Sequence, residues 1–316
     1  MHYKTTNKFI SIALLVALPF IVKAESSNQS SFAITPFIGY RYDIYQWSIP
    51  QGDSTKDKKL SELTWKNHVL ESGIKLETEK VDKKLNFLGQ FKYGLILDKS
   101  TSQDSDWDDI GEYSRSSSKV KGSSIDISGA VGYSQAVSQF LITYYLGMDY
   151  TNYNLKNYGL YNKISREPET NNIEYDYLGE RYSKSKLTSK YKFDNYAPWV
   201  GVSMYYPINK QLSIAPFVKL YGFYLESEAD WVLREDVKHN PSFTDKAYGY
   251  GASLDTEILY KHNDNLDFRT NLSVKGFKMT KGKKKAFAIG GESDITKLKA
   301  LTFISSSISA GIKYKL

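Results

Sequence analysis

The chain has no cysteine, only four histidines and, beyond its first residues, no long apolar run. Without cysteine it cannot form a disulfide framework, so hydrogen bonds and packing must supply its stability. After residue 24 no stretch approaches the roughly 18 apolar residues that a membrane-spanning helix needs, and the mean hydropathy is −0.46. The sequence also lacks a metal-ligand spacing, a glycine-rich phosphate loop and a serine nucleophile motif, so we expect no metal and no cofactor.

The first residues have the layout of a secretory signal peptide. Two lysines give a positive start, residues 9–22 form an apolar core, and residues 22–24 form a small-residue cleavage site. This apolar core is short for a membrane-spanning helix. We therefore expect residues 1–24 to be removed on export and residues 25–316 to form a single exported domain.

The net charge and the aromatic content further limit the class of protein to which the chain can belong. The formal net charge of +7 is modest and includes three lysines of the expected signal peptide, so it gives no reason to expect a nucleic-acid partner. Aromatic residues make up 15% of the chain, with 26 tyrosines. An exported, tyrosine-rich chain without an apolar helix is either a secreted all-β domain or an outer-membrane β-barrel, whose polar lumen dilutes the hydropathy.

Alternation of apolar and polar residues decides between these two classes. It runs through residues 85–97, 125–133 and 212–224, and it continues through residues 304–316 to the terminus. Several of these runs exceed the about five or six residues usual in globular strands, whereas a transmembrane strand needs about 9 to 11. The sequence therefore predicts an all-β fold, an antiparallel transmembrane β-barrel of the bacterial outer membrane.

Long and short connections alternate along the predicted strands. Five long polar segments lie at one end of the strands and four short turns lie at the other. This pattern predicts about ten strands, with both termini on the periplasmic side and five long extracellular loops. We expect a monomer that contacts outer-membrane lipid. The predicted loops are residues 50–59, 99–122, 156–184, 229–246 and 282–297.

Two charged clusters lie in these loops. Residues 104–109 (Asp-Ser-Asp-Trp-Asp-Asp) carry four carboxylates, and residues 281–285 carry four lysines. The acidic cluster is either a solvated loop or a carboxylate pair that shares a proton and polarises a water molecule. The basic cluster is either a solvated charge run or a contact for lipopolysaccharide phosphates.

Several short motifs resemble the omptin family of outer-membrane endopeptidases. Residues 60–66 (Leu-Ser-Glu-Leu-Thr-Trp-Lys) are similar to its second-strand motif, and residues 104–107 are similar to its acidic catalytic pair. Residues 191–193, 219–227 and 309–314 resemble its sixth, seventh and last strands. The resemblance covers most of the chain after the expected signal peptide.

In the omptin family, an attacking water is held between an aspartate pair and a histidine–aspartate pair, and cleavage occurs next to basic residues. The resemblance implies Asp104 and Asp106 as the aspartate pair and Asp43 and Glu228 as substrate-binding carboxylates. It implies Lys192 as a contact for lipopolysaccharide. The chemistry is sound, because a carboxylate can orient a water molecule and an imidazole can take its proton near neutral pH.

The second catalytic pair departs from the omptin pattern. Omptins carry Asp-X-His shortly after the seventh strand, whereas residues 226–233 contain no histidine. Asp230 matches the family's aspartate if the register slips by one residue. His239, further along the same loop, is then the candidate base, and a solvated loop histidine is the other interpretation.

Three functions are therefore compared. The first is an omptin-like endopeptidase of the aspartic type, which acts on polypeptides with basic residues and has lipopolysaccharide as a requirement. The second is a barrel of the same family that has lost hydrolysis and serves as a surface adhesin or structural protein. The third, a passive pore, is disfavoured, because Lys92, Asp126 and Lys219 are expected to fill a narrow lumen with paired charges.

Overall fold

The computed structural model describes residues 32–51, 58–78, 84–173, 178–291 and 293–316; the expected signal peptide lies outside these ranges. Within them the alternating segments form twelve β-strands. The strands are β1 (Phe32–Pro50), β2 (Lys59–Thr78), β3 (Leu85–Ile96), β4 (Thr101–Trp107), β5 (Glu112–Val137), β6 (Phe140–Ser165), β7 (Gly179–Pro207), β8 (Leu212–Asp230), β9 (Phe243–Lys261), β10 (Leu266–Phe287), β11 (Ser293–Lys297) and β12 (Ala300–Lys315). No helix in the described ranges is long and apolar enough to cross a membrane.

Ten strand positions close into an antiparallel barrel. Hydrogen bonding runs from β1 through β2, β3, β5, β6, β7, β8, β9, β10 and β12 and returns to β1. The closing seam between β1 and β12 extends from Ala33, opposite Lys315, to Ser48, opposite Ala300. Closure leaves no unpaired edge to face lipid. The predicted antiparallel barrel of about ten strands is confirmed.

Two of the ten positions carry interrupted strands. After a break at residues 97–100, β4 continues the line of β3 and pairs with the same two neighbours, β2 and β5. A turn closed by the Ser100 amide on the Leu97 carbonyl, 2.9 Å apart, makes this break. In the same way β11 pairs with β10 and leads into β12 after a break at residues 298–299. The outer tier of the barrel is therefore built partly from short, separate strands.

Much of the polar sequence that was predicted as loop is strand instead. β4 and the first part of β5 occupy most of residues 99–122, and β10 continues to Phe287. These segments lie beyond the apolar band, where the outward face of a strand meets water instead of lipid, so their outward side chains are polar while their backbone groups still pair across strands. A polar segment in this region therefore indicates a strand in contact with solvent, not a loop. The extended hairpins form the walls of the barrel mouth.

A row of tyrosines marks the outer boundary of the apolar band. Tyr150, Tyr196, Tyr224 and Tyr248 lie side by side on β6 to β9, with ring centroids 5.2, 6.4 and 4.7 Å apart. One step further out is a polar row of Asn152, Asp194, Glu226 and Lys246. Below the tyrosines the outward side chains are apolar, as at Leu146, which is 62% exposed. Tyrosines are enriched at membrane interfaces, and this row fits such a girdle.

Ion pairs between distant strands fill the lumen. Arg41 on β1 is buried and contacts Asp43, Glu71 and Asp126. Lys275 on β10 lies 2.9 Å from Asp149 on β6, four positions away in the ring. Such pairs bridge the interior from wall to wall, which argues against an open pore.

One further pair closes the lumen nearer the periplasm. Lys75 on β2 lies 2.6 Å from Glu257 on β9, again four positions away in the ring.

Above the Arg41 cluster, a layer of aromatic rings crosses the barrel. Trp65 lies 5.5 Å from Tyr45 and 4.7 Å from Tyr191, measured between ring centroids. This layer is the floor of the barrel mouth.

Candidate active site at the barrel mouth

Asp104 and Asp106 both point into the mouth. In the register of β4 with β2, Asp104 lies opposite Leu63 and Asp106 opposite Ser61. Alternate residues of a strand share a face, and the buried Leu63 shows that this face is the interior one. The Asp-Ser-Asp spacing therefore places two carboxyl groups on one wall of the mouth.

The remaining two carboxylates of the acidic cluster have a structural role at the hairpin tip. Asp108 Oδ1 accepts hydrogen bonds from the amides of Ile110 and Gly111, each at 2.9 Å, and from Arg166 at 2.7 Å. Arg166 holds the pKa of Asp108 well below its usual range. Asp109 is bound by Lys58 at 2.7 Å. The acidic cluster therefore divides into two parts. Asp104 and Asp106 form an inward pair that faces the mouth, and Asp108 and Asp109 stabilise the hairpin turn.

The inward pair is held in an environment that favours protonation. Burial first, and then the neighbouring Asp106, raise the pKa of Asp104 to about 8. Burial also raises the pKa of Asp106, against a hydrogen bond from Ser61 and the charge of Arg234. Two close carboxyl groups in a desolvated site tend to share one proton. Below about pH 8 the pair therefore holds a proton that an acid–base reaction can use.

The sign of this shift also fixes its effect on stability. The folded protein binds the Asp104 proton up to about pH 8, whereas an unfolded aspartate releases it near pH 4. Because the folded state binds more protons between these values, the free energy of unfolding falls as pH rises from about 4 to 8. Burial of Asp104 therefore costs stability at neutral pH.

A second acid–base pair forms at the end of β8. His239 Nδ1 lies 3.0 Å from Asp230 Oδ1, and Lys190 Nζ lies 3.2 Å from the other oxygen of the same carboxylate. The loop between β8 and β9 closes at its base, because the Ser242 amide donates to the Ala229 carbonyl at 2.8 Å. This closure brings His239 back to Asp230, which lies nine residues earlier in the chain at the end of β8.

The second pair does not lie on an inner wall of the mouth. Asp230 shares the outward face of β8 with Glu228, and its partner Lys190 shares the outward face of β7 with Lys192. From β4, the ring passes β5, β6 and β7 before it reaches β8, so the two pairs belong to strands that are nearly opposite in a barrel of ten positions. In the part of the chain that the structure describes, no hydrogen bond joins Asp104 or Asp106 to Asp230 or His239. The described residues also contain no group of three metal-ligating side chains.

Both expected substrate carboxylates, Asp43 and Glu228, lie away from the mouth. Asp43 is fully buried below the aromatic floor, where Arg41 lies 2.9 Å and the Tyr153 hydroxyl 2.6 Å from its Oδ2. Glu228 is exposed on the outward face of β8, because strand parity turns it away from its buried neighbours Ser227 and Ala229. Neither carboxylate faces a peptide in the mouth.

Lys192 lies on the outer surface of the barrel. It pairs with Asp194, 3.2 Å away, on the same outward face as the polar row above the tyrosines. It is half-exposed and level with Glu228 on the adjacent strand. This is the face on which a lipid headgroup would be met.

Sequence reasoning missed one residue of the mouth, Lys284. It belongs to the basic run 281–285, which was interpreted as solvated charge or a phosphate contact, but its side chain is buried in the mouth. Its Nζ lies 4.3 Å from the ring centroids of both Trp47 and Phe243. A β-bulge between Met279 and Lys281 shifts the parity of this strand end, and no signal in the sequence reveals it.

Comparisons with known proteins give a family and a fold. The family model described as "Pom: Protochlamydia outer membrane protein" matches residues 37–316. No curated protein sequence matches the chain. The crystal structure of outer membrane protease OmpT from Escherichia coli matches with a TM-score of 0.76 and 12% identity, and the match covers 93% of this chain and 99% of that chain.

A second solved barrel is much less similar. The translocator domain of autotransporter NalP from Neisseria meningitidis has a TM-score of 0.38 and 8% identity, over 97% of this chain and 95% of that chain. A score this low carries no argument about function. Together the comparisons confirm an omptin-like outer-membrane β-barrel and the predicted location in the bacterial outer membrane.

Proposed function

The chain belongs to the Protochlamydia outer membrane protein family, and from its OmpT-like fold and the geometry of its mouth we propose that it is an omptin-like surface endopeptidase. The observation that carries the proposal is the buried, inward-facing pair of Asp104 and Asp106, in which burial favours protonation. The sequence motif for the second pair is absent, yet an imidazole on a carboxylate, His239 on Asp230 at 3.0 Å, is present in the loop that follows β8.

The proposed reaction is hydrolysis of a peptide bond by water. In this proposal His239, held by Asp230 through Nδ1, reaches over the rim of the mouth, and its Nε2 takes a proton from a water molecule that Asp106 orients. The water oxygen forms a bond to the carbonyl carbon, and the carbonyl oxygen becomes an oxyanion. The proton that Asp104 holds stabilises this charge, since burial favours the protonated form of this carboxyl group. The C–N bond then breaks, and the imidazolium returns a proton to the leaving amine.

The choice of substrate follows the omptin resemblance, which favours peptides with basic residues at the cleavage site. Because Asp43 and Glu228 are turned away from the mouth, the first assay compares several peptides of equal length. Quenched fluorescent peptides with a central Arg-Arg, Lys-Lys, Ala-Ala or Glu-Glu pair are incubated with refolded protein, with and without lipopolysaccharide. Preferential cleavage of the basic peptides is the expected result.

His239→Ala should lower kcat for the best of these peptides by about 10²–10⁴-fold, because the variant removes the base. His262→Ala is the matched control: this histidine lies in the turn between β9 and β10, at the opposite end of the barrel, and we expect unchanged kcat. Initial rates of fluorescence release measure both. Full activity in His239→Ala would show that a different group is the base.

A barrel that has lost hydrolysis is the second candidate. The missing Asp-X-His motif favours it, since a histidine that reaches its carboxylate through a long loop is a less constrained base than one on a strand end. This candidate predicts no cleavage of any peptide by wild-type protein, with or without lipopolysaccharide. Such a result would refute the endopeptidase and support a surface adhesin or structural role.

We also propose that lipopolysaccharide binds the outward face around Lys192 and supports activity. Lys192 and Lys246 lie just beyond the tyrosine row, each beside a carboxylate at 3.2 and 2.8 Å. Phosphates meeting this face would compete for the two ammonium groups.

Lys192→Glu should therefore weaken lipopolysaccharide binding by about tenfold, which corresponds to ~1.4 kcal/mol. Lys210→Glu makes the same charge change in the short turn between β7 and β8 on the periplasmic side, and it should leave the affinity unchanged. Binding to refolded protein in detergent, titrated by fluorescence, measures both. Equal affinities for the two variants would refute the assignment of this face.

A further inference from the structure

Lys284 is a buried cation in the wall of the mouth. Its side chain is 7% exposed, and its Nζ lies over the faces of Trp47 and Phe243, 4.3 Å from each ring centroid. Aromatic faces attract a cation through their quadrupole, and more strongly where water is excluded. The two rings therefore fix the ammonium group in a narrow position between β1 and β9.

Three charged side chains around this position each have an atom that lacks a hydrogen-bond partner and is sealed from solvent. The atoms are Lys284 Nζ, Asp245 Oδ1 and Asp104 Oδ1. Lys284 Nζ lies 3.6 Å from Asp245 Oδ1, slightly too far for a hydrogen bond, while Asp245 Oδ2 accepts one from Ser227 at 2.7 Å. Buried polar atoms are normally paired, so a sealed ammonium beside two unpaired carboxyl oxygens indicates a functional arrangement.

The charge of Lys284 acts across the mouth on the aspartate pair. It lowers the pKa of Asp104, against burial and Asp106, while Asp104 and Asp245 oppose the fall in the pKa of Lys284 that burial causes. Arg234 in the loop after β8 acts on Asp104 in the same direction as Lys284. The other titratable groups that face the pair from neighbouring strands are Tyr113 on β5, Tyr191 on β7 and Glu112 on β5.

We infer that Lys284 is a positioning residue of the mouth site, whose fixed ammonium sets the protonation of the Asp104/Asp106 pair. The inference rests on the proposed endopeptidase function for its kinetic consequence, but the electrostatic coupling exists whether or not the pair hydrolyses peptides. Lys284 acts through Asp104 rather than on the substrate. It extends the site from the wall of the mouth that carries Asp104 and Asp106 to the wall formed by β9 and β10.

A merely structural lysine would have a different signature. If Lys284 only filled the space between Trp47 and Phe243, an unbranched apolar side chain would replace it without changing any titration. If its charge matters, removal of that charge must raise the pKa of Asp104, because an attractive interaction with the carboxylate is lost. The pair then keeps its proton to higher pH.

The kinetic test is the pH profile of kcat/KM for Lys284→Met, Lys284→Arg and Lys283→Met. Wild type should lose activity on the alkaline side as the Asp104/Asp106 pair loses its proton. Lys284→Met should move this limb upward by about one pH unit, a tenfold change in the proton affinity of the pair. Lys284→Arg keeps the charge and should stay close to wild type. Lys283→Met removes an adjacent, exposed lysine on the opposite face of β10 and should not move the limb.

A titration without turnover separates this inference from the proposed function. Protein labelled with ¹³C at the aspartate carboxyl carbons is titrated by NMR in detergent, and the Asp104 signal is identified by its loss in Asp104→Asn. The midpoint of that signal should rise by about one pH unit in Lys284→Met and stay unchanged in Lys283→Met.

The outcomes are distinct. An unmoved Asp104 midpoint in folded Lys284→Met overturns the inference, whatever the enzymatic result. A shifted midpoint in a protein that cleaves no peptide supports the coupling and refutes only the endopeptidase. Heat-modifiable migration on gels verifies that each variant has folded into a barrel. If Lys284→Met does not fold, Lys284→Gln supplies the same loss of charge with a polar end.

Discussion

At pH 7, Asp106→Asn should lower kcat for peptide cleavage by about 10²–10⁴-fold, the range expected when a positioned acid–base group is lost. Asp106 is the less enclosed member of the inward pair and carries a hydrogen bond from Ser61, so it is the carboxylate available to orient water. An amide of the same shape cannot carry the negative charge with which Asp106 orients the water. The quenched-peptide assay measures the loss directly.

Two comparisons make this prediction specific. Asp109→Asn changes a carboxylate at the hairpin tip that Lys58 already binds, and it should leave kcat unchanged. Asp104→Asn should cost less than Asp106→Asn below pH 8, because the amide resembles the protonated acid that burial maintains there. Equal losses for Asp109→Asn and Asp106→Asn would mean that the acidic cluster acts only through its overall charge.

Arg41→Met should lower the free energy of unfolding by about 3–5 kcal/mol, the usual cost of removing one partner from a buried ion pair. Arg41 also donates to Ser124 and to the Tyr153 hydroxyl, each at 2.9 Å, so its loss leaves several buried groups without a partner. Methionine fills much of the same volume, and the loss of charge is therefore the main change. Urea unfolding of refolded barrels in lipid bilayers, followed by tryptophan fluorescence, measures the difference.

Arg115→Met is the matched control for this prediction. Arg115 pairs with Glu112 on the outer part of β5, where its side chain is 38% exposed. An exposed pair contributes about 0–1 kcal/mol, because water solvates both partners when the contact is lost. If Arg41→Met were no more destabilising than Arg115→Met, the lumen network would not be a source of stability.

The barrel could be predicted from the sequence because long period-two alternation is typical of a strand with one apolar and one polar face. Runs such as residues 85–97 separate an outer apolar face from an inner polar one, and their length suits a tilted strand in a bilayer. The walls above the membrane could not be predicted in this way. There the outward face of the first part of β5 meets water instead of lipid, so the alternation that identifies a strand disappears although the hydrogen bonding continues.

The candidate site was predictable only where it depends on a strand. Once β4 is paired with β2, the alternation of side chains along the strand is enough to predict that Asp104 and Asp106 face the mouth. The contact of His239 with Asp230 depends on how a loop closes, and the inward position of Lys284 depends on a bulge. Neither event leaves a pattern in a single sequence, since both are decided by tertiary contacts.

The burial of Asp43 in the lumen had a signal in the sequence. Arg41 and Asp43 are two residues apart on a strand, so they share the inner face and form an ion pair. An aspartate with an arginine at this spacing belongs to a neutralised lumen rather than to a rim that awaits a basic substrate. The sequence alone does not show how far along the strand the lumen ends.

The break between β3 and β4 has a consequence for the timing of biogenesis. β4 forms hydrogen bonds only with β2 and β5, and these two strands are held side by side by β3. The aspartate pair therefore has no fixed position until β3 has joined its neighbours, and the mouth that it faces has no complete wall until the seam between β1 and β12 has closed. Any hydrolytic capacity arises at the moment of insertion, so the chain would cross the periplasm as an inert precursor without needing a propeptide to silence it.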